Sequence, residues 1–501
     1  MQKKIIHYPQ LSSIKKKNKK KKIGLAHGVF DMFHYGHLLH LKKAKSFCDI
    51  LIVSVTSDKF INKAPGRPIY TNEQRLKIIS SLSFVDFVVL SNKKNSIQLL
   101  NSIKPNYYFK GNDYANEDHD YSGGIKLERA ATEKNGGKII FTNEKSLSST
   151  KLINRFSDEL DENTKKYLLK LKKNTNFEKL KSIIDKTKSL KTLVLGEIIF
   201  DEYVFSSPLG KSPKEHLISM QEIKKEIYGG GVIATVNHLS SFLKDCTLLS
   251  TIQPKKNKSI SKYIDRNIRK IFFEEKNYKT LVKTRYLDPQ NNKLFQISNS
   301  QMQKISEKTE KKIISFLNNN LHKFDHVIVH DFGHGLISEK IINLLQKKSR
   351  YLSINVQTNS SNIGFNYITK FKKTDYFSID EPEARLALSD NKSNTSKLFQ
   401  KLKTKTNFKS GSITFGKNGS YTFTKNNIFF SPALTKNPID TLGAGDAYFV
   451  ISSLASIFSR SPLEIGFLGN VAGAFAVNYL GHQKYINKEY FLNYIKTYLN
   501  I

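Results

Sequence analysis

Tryptophan is absent from the 501 residues, and cysteine occurs only as Cys48 and Cys246. Two cysteines that far apart, without metal-ligand spacing, exclude a disulfide framework and a cysteine-built zinc site. Both are expected to be small buried apolar side chains. No stretch of about 18 apolar residues occurs, which excludes a bilayer-spanning helix, and residues 1–30 hold no apolar run long enough for a signal peptide. The expectation is a cytoplasmic protein. Acidic residues are scarce as well: 43 Asp and Glu stand against 81 Lys and Arg, a formal net charge of +38. Arg supplies only ten of those cations, and the Lys excess runs through the whole chain. That spread points to compositional drift with solvated Lys faces, and no nucleic-acid partner is expected. The one dense charge block, KKKNKKKK (15–22), belongs to a basic N-terminal arm, residues 1–22, expected to be solvated and disordered.

What is present suits more than one core. The length is two to three times that of a usual domain, and 39% apolar with 11% aromatic residues supply enough material to bury. Residues 23–156 alternate short apolar runs with helical patterns. KKIGLAHG (21–28), ILIVSVTSD (50–58), FVDFVVL (84–90), NYYFKG (106–111) and GGKIIFT (136–142) read as strands, with amphipathic stretches at 36–47 and 72–83 between them. This order implies a parallel sheet with right-handed crossovers. Residues 157–190 turn polar and Lys/Glu-rich with Leu and Ile at helical spacing, which predicts a helical linker. A second alternating pattern fills 191–501. It starts at TLVLGEIIFDEYVF (192–205), with strands near 326–330, 351–356, 375–379, 412–415 and 420–424, and an apolar helical region over 444–458. The fold class is α/β with two domains.

GVFDMFHYGH (28–37) follows the first strand and opens a helix at Gly36. A helix N-terminus at the carboxyl edge of a parallel sheet suits nucleotide phosphates, and His34 and His37 can address the same anion. Three further segments stand in order: RPIYTNEQR (67–75), FKGNDY (109–114) and SSTKLI (148–153). Together these resemble the nucleotidyltransferase superfamily with the HxGH signature and a Rossmann-like fold. Class I aminoacyl-tRNA synthetases share an HxGH-like signature, but this domain has no room for an anticodon module and no clear KMSKS loop. The resemblance implies attack of a substrate phosphate on the α-phosphate of ATP or CTP, with pyrophosphate leaving and Mg2+ shielding the triphosphate. It assigns His34 and His37 as catalytic donors, and Gly28, Phe30, Asp31, Gly36, Lys63, Arg75, Lys110, Ser149 and Thr150 as nucleotide-binding. Arg75 and Lys63 would neutralise the departing pyrophosphate, and Ser149 and Thr150 would cap it.

DTLGAGDAYF (440–449) joins a glycine turn to the start of an apolar helix, so the amides of Gly443, Ala444 and Gly445 can form a nest for a phosphoryl group beside Asp446. A carboxylate there suits the acceptance of a proton from an attacking hydroxyl. GEIIFDEYVF (196–205), YGGGVIATVNHL (228–239), FGKNG (415–419) and NVAGAFAVNYLG (470–481) complete a resemblance to the ribokinase-like (PfkB) carbohydrate kinases, whose fold carries a small β lid. It implies Asp446 as catalytic base, Gly416, Gly419, Thr441, Gly443, Ala444, Gly445 and Asn470 on the nucleotide and phosphoryl side, and Glu197, Asp201, Gly229, Gly230 and Asn237 on the sugar side. The chain departs from the pattern at Glu197 for an aspartate, Ile233 for an asparagine, and Asp380 with Glu383 for the Asn-x-x-Glu that organises Mg2+. HLISMQEIKKEIY (216–228) and KTLVKTRYLDPQNNKLFQIS (279–298) have the alternation of lid strands, and a homodimer through the lid is expected.

The two resemblances together are similar to bifunctional heptose kinase/adenylyltransferases with the domains in opposite order. They imply phosphorylation of a sugar or sugar phosphate followed by its activation as a nucleotide derivative. The alternative is a monofunctional nucleotidyltransferase carrying a non-catalytic, sugar-binding kinase-like domain.

Overall fold

β3 (Ile50–Thr56), ILIVSVT, is buried at all seven positions, the mark of a central parallel strand covered on both faces. The computed structural model describes residues 4–61, 68–93, 95–111, 124–142, 161–299, 303–424, 427–435 and 438–499. It divides into two units, Met1–Glu159 with Lys496–Ile501, and Leu160–Ile495.

In the first unit β3 lies in a six-stranded parallel sheet with β1 (Ile5–Ile6), β2 (Ile23–Gly28), β4 (Phe87–Ser91), β5 (Tyr107–Gly111) and β6 (Lys138–Thr142). The spatial order is β1-β4-β3-β2-β5-β6. From β2 the chain builds outward through β3 and β4 on one side and through β5 and β6 on the other. The crevice between the carboxyl ends of β2 and β5 is therefore a topological switch point, where doubly wound sheets bind ligands.

The expectation of a disordered arm is overturned. β1 pairs in parallel with β4, Ile5 opposite Val88 and Ile6 opposite Val89. The helix Leu11–Lys17 follows, and Leu11 and Ile14 pack against Leu99, Leu100 and Ile103. Apolar side chains three apart gave this short helix a face to bury, while its lysines stay at the surface.

In the second unit the sheet order is β11-β10-β7-β14-β15-β16-β17-β18-β19. The strands are β7 (Lys191–Gly196), β10 (Asp245–Ile252), β11 (Arg269–Glu274), β14 (His326–Asp331), β15 (Leu352–Val356), β16 (Lys373–Asp380), β17 (Asn407–Thr414), β18 (Ser420–Thr424) and β19 (Asn427–Ser431). Pairing is parallel up to β17 and antiparallel beyond it. Here the switch point lies between β7 and β14. A second sheet, order β13-β12-β8-β9, forms the lid from β8 (Ile198–Lys211), β9 (Ile218–Gly231), β12 (Leu281–Leu287) and β13 (Lys293–Ser298). The opening run 192–205 forms two strands: it breaks at Glu197 and passes from the main sheet to the lid.

The segment expected as a linker is helical, over Glu162–Asn174 and Phe177–Lys186, and both helices pack into the second unit. Leu168, Leu171, Leu180 and Ile184 are buried. The Tyr167 hydroxyl donates to Ser431 Oγ (3.0 Å) and Thr175 Oγ1 to Glu464 Oε1 (3.0 Å). Among the described residues no helix is long and apolar enough to cross a membrane. Cys48 and Cys246 are buried thiols.

Candidate functional site

At the first switch point, Gly28 ends β2 and the chain then takes two left-handed residues, Phe30 (φ 51°) and Met32 (φ 47°). Buried Asp31 between them accepts from the amides of Ile69 (3.0 Å) and Tyr70 (3.1 Å), tying the motif loop to the segment ahead of the helix Asn72–Ser80. His34 then caps the helix Tyr35–Lys45. Its Nδ1 accepts from the Gly36 amide (3.1 Å), while its own amide donates to His37 Nδ1 (3.4 Å). The two rings stack with centroids 3.8 Å apart. With each Nδ1 accepting, the proton of each neutral imidazole sits on Nε2, so both histidines present the same kind of donor. The Gly36 amide, by contrast, serves His34.

Two expectations change here. Arg75 is fully buried and all five of its N–H groups are engaged. They reach Tyr70 O (3.0 Å), Val29 O (2.6 Å), Thr56 O (2.8 Å), Asp58 Oδ1 (2.5 Å) and Asn72 Oδ1 (3.1 Å). It braces the frame of the site and has no donor left for pyrophosphate. Lys110, at the end of β5, pairs with buried Glu128 (2.9 Å), which also accepts from Ser96 Oγ (2.8 Å) and Tyr108 OH (3.0 Å). Burial pushes the Glu128 carboxyl up, but Lys110 and the other donors outweigh it and pull it down to about 2. His27 and His40 nearby are lowered to about 4 by burial and by Lys110. Lys63, Ser149 and Thr150 lie outside the described residues.

In the second unit, Gly443 takes a left-handed turn (φ 81°) that starts the helix Ala444–Phe458, where a side chain would strike the His482 ring. The first-turn amides of Gly445 and Asp446 lie at the positive end of that helix, and the space beside Gly445 is open. Thr441 is exposed just before it. Asp446 is buried, accepts from Gln357 Nε2 (2.8 Å), and lies 3.3 Å from His330 Nε2 and 3.8 Å from His482 Nε2. Burial alone would raise this carboxyl, but His330, His482 and His238 hold it well below the usual carboxylate range. Asp440, which opens the same motif, accepts from the amides of Leu442 and Gly481 (3.0 Å each) and from Tyr203 OH (3.3 Å), and pairs with Lys293 (2.5 Å). It ties the glycine turn to β8 and β13.

Of the sugar-side expectations, Asp201, Gly229 and Gly230 come together. Asp201 pairs with Arg285 (2.5 Å) and lies 3.5 Å from His482 Nε2, and a Cβ on Gly230 would fall 2.0 Å from Asp201 Oδ2. The sugar role of Glu197 is not supported. Fully buried, it accepts from the amides of Phe332 (3.1 Å), His334 (3.2 Å) and Leu336 (3.4 Å), and it anchors the loop after β14. Its carboxyl is raised by burial and by Asp331. Asn237 likewise has both ends engaged, donating to Tyr263 O (2.8 Å) and accepting from the Asp265 amide (2.9 Å). Asn470 donates to Ser420 Oγ and Ser431 O (3.0 Å each), a packing role rather than an adenine contact. Gly416 (φ 54°) and Gly419 (φ 103°) make the turn between β17 and β18.

Asp380 and Glu383 form a capping box on the helix Glu381–Leu388. Glu383 also accepts from the Thr358 amide (2.8 Å). Both carboxyls are raised, by burial first and then by acidic neighbours: Asp380 for Glu383, and Glu381 for Asp380. No basic partner faces either among the described residues, but Asp380 Oδ1 and both oxygens of Glu383 already accept backbone amides, so the pair could share a hard cation only with nucleotide phosphates. No cluster of three or more His, Cys, Asp or Glu that could hold a metal ion occurs among the described residues. Sequence reasoning missed His238, Lys283, Arg285, His330, Gln357 and His482. Only the alternation of the lid strands could have signalled Lys283 and Arg285.

Comparison with known proteins agrees with this division. The cytidylyltransferase-like family matches residues 25–155, and the pfkB family of carbohydrate kinases matches residues 191–488. The bifunctional protein HldE of Blochmanniella floridana is 45% identical over 95 residues, 19% of this chain and 20% of that protein. HldE of Helicobacter pylori strain G27 is 41% identical over 99 residues, 19% of this chain and 21% of that protein. The chain thus spans about a fifth of the length of these curated relatives. The match lies in its N-terminal part, and the domain order is reversed relative to HldE. Phosphofructokinase-2 from Escherichia coli superposes with a TM-score of 0.50 at 13% identity, over 62% of this chain and 99% of that one, a likeness of fold. The chain belongs to the pfkB family of carbohydrate kinases and carries a cytidylyltransferase-like domain ahead of the kinase fold.

Proposed function

We propose that the chain makes a nucleotide-activated sugar by two reactions. The kinase domain phosphorylates a heptose-like sugar or sugar phosphate with ATP, and the N-terminal domain transfers a nucleotidyl group from ATP or CTP to the sugar phosphate. The observation that carries the kinase half is Asp446, an ionised carboxylate at a helix N-terminus beside the left-handed Gly443 turn, at the switch point of the sheet. The acceptor hydroxyl gives its proton to Asp446 as its oxygen bonds to the γ-phosphorus, and the bond to the bridging oxygen breaks to release ADP. The amides of Gly445 and Asp446 stabilise the charge on the transferring group. Asp201, oriented by Arg285, holds a sugar hydroxyl.

In the N-terminal domain a phosphate oxygen of the sugar phosphate attacks the α-phosphorus and pyrophosphate leaves. The Nε2–H groups of the stacked His34 and His37 donate to the oxygens that gain charge. Magnesium would neutralise the nucleotide phosphates, held at the kinase site by Asp380 and Glu383.

The lid's outer face supports a homodimer. Tyr286 stacks on its cross-strand partner Phe295 (4.6 Å), and Phe295 and Ile297 are more than half exposed. One observation favours the second reading, a non-catalytic kinase domain: His482 stands between Asp201 and Asp446, on the path an acceptor would use. Purified protein incubated with ATP or CTP against a panel of sugars and sugar phosphates, with ADP and pyrophosphate both measured, decides between them. Both products are expected. Pyrophosphate without ADP selects the second reading, and neither product rejects both.

A further inference from the structure

The two oxygens of Asp446 are held differently. Oδ1 accepts from Gln357 Nε2 at 2.8 Å and lies 3.3 Å from His330 Nε2, whereas the imidazole nearest Oδ2 is His482, at 3.8 Å. His330 is fully buried near the end of β14. Its Nδ1 lies 2.7 Å from Thr235 Oγ1, its ring stacks on Phe332 (4.3 Å), and Phe449 meets it edge-on (5.6 Å). A ring held on three sides cannot turn, and its Nε2 faces Asp446 Oδ1 (3.3 Å) and Gln357 Nε2 (3.2 Å); a proton on Nε2 is what lets it donate to Oδ1.

We propose that His330 is a positioning residue for phosphoryl transfer: with Gln357 it clamps Oδ1 of Asp446, leaving Oδ2 as the oxygen that takes the acceptor's proton. The inference rests on the kinase reading above and sharpens it. Other charged or titratable groups face Asp446 from neighbouring elements: His238 on the helix Val232–Leu239, His482 beyond the helix Pro462–Ala476, Lys283 on β12, and Glu383. His330 and Gln357 meet Oδ1 directly, at 3.3 Å and 2.8 Å. A ring that merely fills space would affect stability alone. A clamp also sets the pH at which Asp446 loses its charge.

The test compares the full-length wild type with His330→Leu, His330→Asn and Thr235→Val, following ADP release against pH. The acceptors are ribose, mannose, fructose 6-phosphate, sedoheptulose 7-phosphate and water. His330→Leu is expected to lower kcat by about tenfold or more, with the KM for ATP within about twofold, because a transition-state arrangement is lost rather than nucleotide binding. The acidic limb of kcat should move up by about one pH unit as the carboxylate loses a donor. His330→Asn, which keeps an N–H, should recover part of the rate. If His330→Leu does not fold, Thr235→Val decides, with an expected loss of about threefold and a shift in the same direction. Wild-type ADP formation that these changes leave intact, in rate and pH profile, overturns the clamp and spares the kinase reading. No ADP from wild type with any acceptor overturns both.

Discussion

The two units place their sites at the same kind of crevice but treat charge in opposite ways. In the first, charged side chains among the described residues are tied into the frame: Arg75 to three carbonyls, Asp31 to two amides, Lys110 to Glu128. The stacked imidazoles of His34 and His37 stand at the helix start. In the second, an ionised carboxylate stands among imidazoles at a helix N-terminus. Nucleotidyl transfer to a phosphate already carrying negative charge needs donors, whereas phosphorylation of a hydroxyl needs a proton acceptor. The arrangement of each site suits the reaction proposed for it.

The sharpest way to break the comparison is to remove one group from each site. Asp446→Asn should lower ADP formation by about 10³-fold and leave pyrophosphate release unchanged. His37→Ala should lower pyrophosphate release by about 10²-fold to 10³-fold and leave ADP formation unchanged. Paired product assays check both, and a single substitution that lowers both rates would refute the assignment of separate sites.

Arg75 comes next. Truncation to Ala leaves the carbonyls of Val29, Thr56 and Tyr70 without their donor, while Asp58, whose side chain is 35% exposed, can turn to solvent; the cost is about 1–3 kcal/mol. Thermal unfolding should show an early transition, with pyrophosphate release lost above it and ADP formation retained. Normal stability with a specific loss of pyrophosphate affinity would restore the phosphate-binding role.

pH separates the buried carboxyls by sign. Glu128 is depressed to about 2, so its stabilisation is fully present above the unfolded value near 4.5 and is lost as pH falls toward 2. The difference amounts to about 3 kcal/mol. Glu128→Gln should flatten the acid limb of the unfolding curve. Glu383 is raised, so the folded state loses stability as pH climbs above 4.5, where the unfolded chain ionises first. A cation on the ionised pair would reverse that loss. Magnesium should therefore raise the melting temperature of the second unit more at pH 8 than at pH 5.5, and should not do so in Glu383→Gln.

Much of this was legible in residue order. The five strands expected in the first unit form, because each is a short apolar run closed by turn residues. The glycine turn ahead of Asp446 is also where its motif put it. What sequence could not show is which polar groups the fold uses up. Glu197, Asn237, Asn470 and Arg75 match motif positions, yet their bonds go to backbone and side chains brought from far along the chain. The arm failed for a smaller reason: eight residues of dense charge at 15–22 masked Leu11 and Ile14, which needed only Leu100 and Ile103 to pack against. His330 and His482 carry no local signal, since a histidine in an apolar strand or a loop looks alike whether or not a carboxylate waits 3–4 Å away.

The smallest expected effect on chemistry concerns the lid. Lys283 and Arg285 occupy alternate positions of β12 and share the face of Asp201, and Thr284 and Tyr286 point the other way with Phe295 and Ile297. The outer face, opposite the working face of Asp201, joins this apolar patch to the bonded Thr284 and Glu202, and in the proposed homodimer an isologous pairing would bury Phe295 against its copy's lid. Phe295→Glu puts a charge into that contact. It should convert a dimeric mass to a monomeric one by light scattering at micromolar concentration, with kcat for ADP formation changed by less than about threefold, because the working face is untouched. A monomeric wild type would remove the dimer and leave the outer face as solvent-exposed apolar surface.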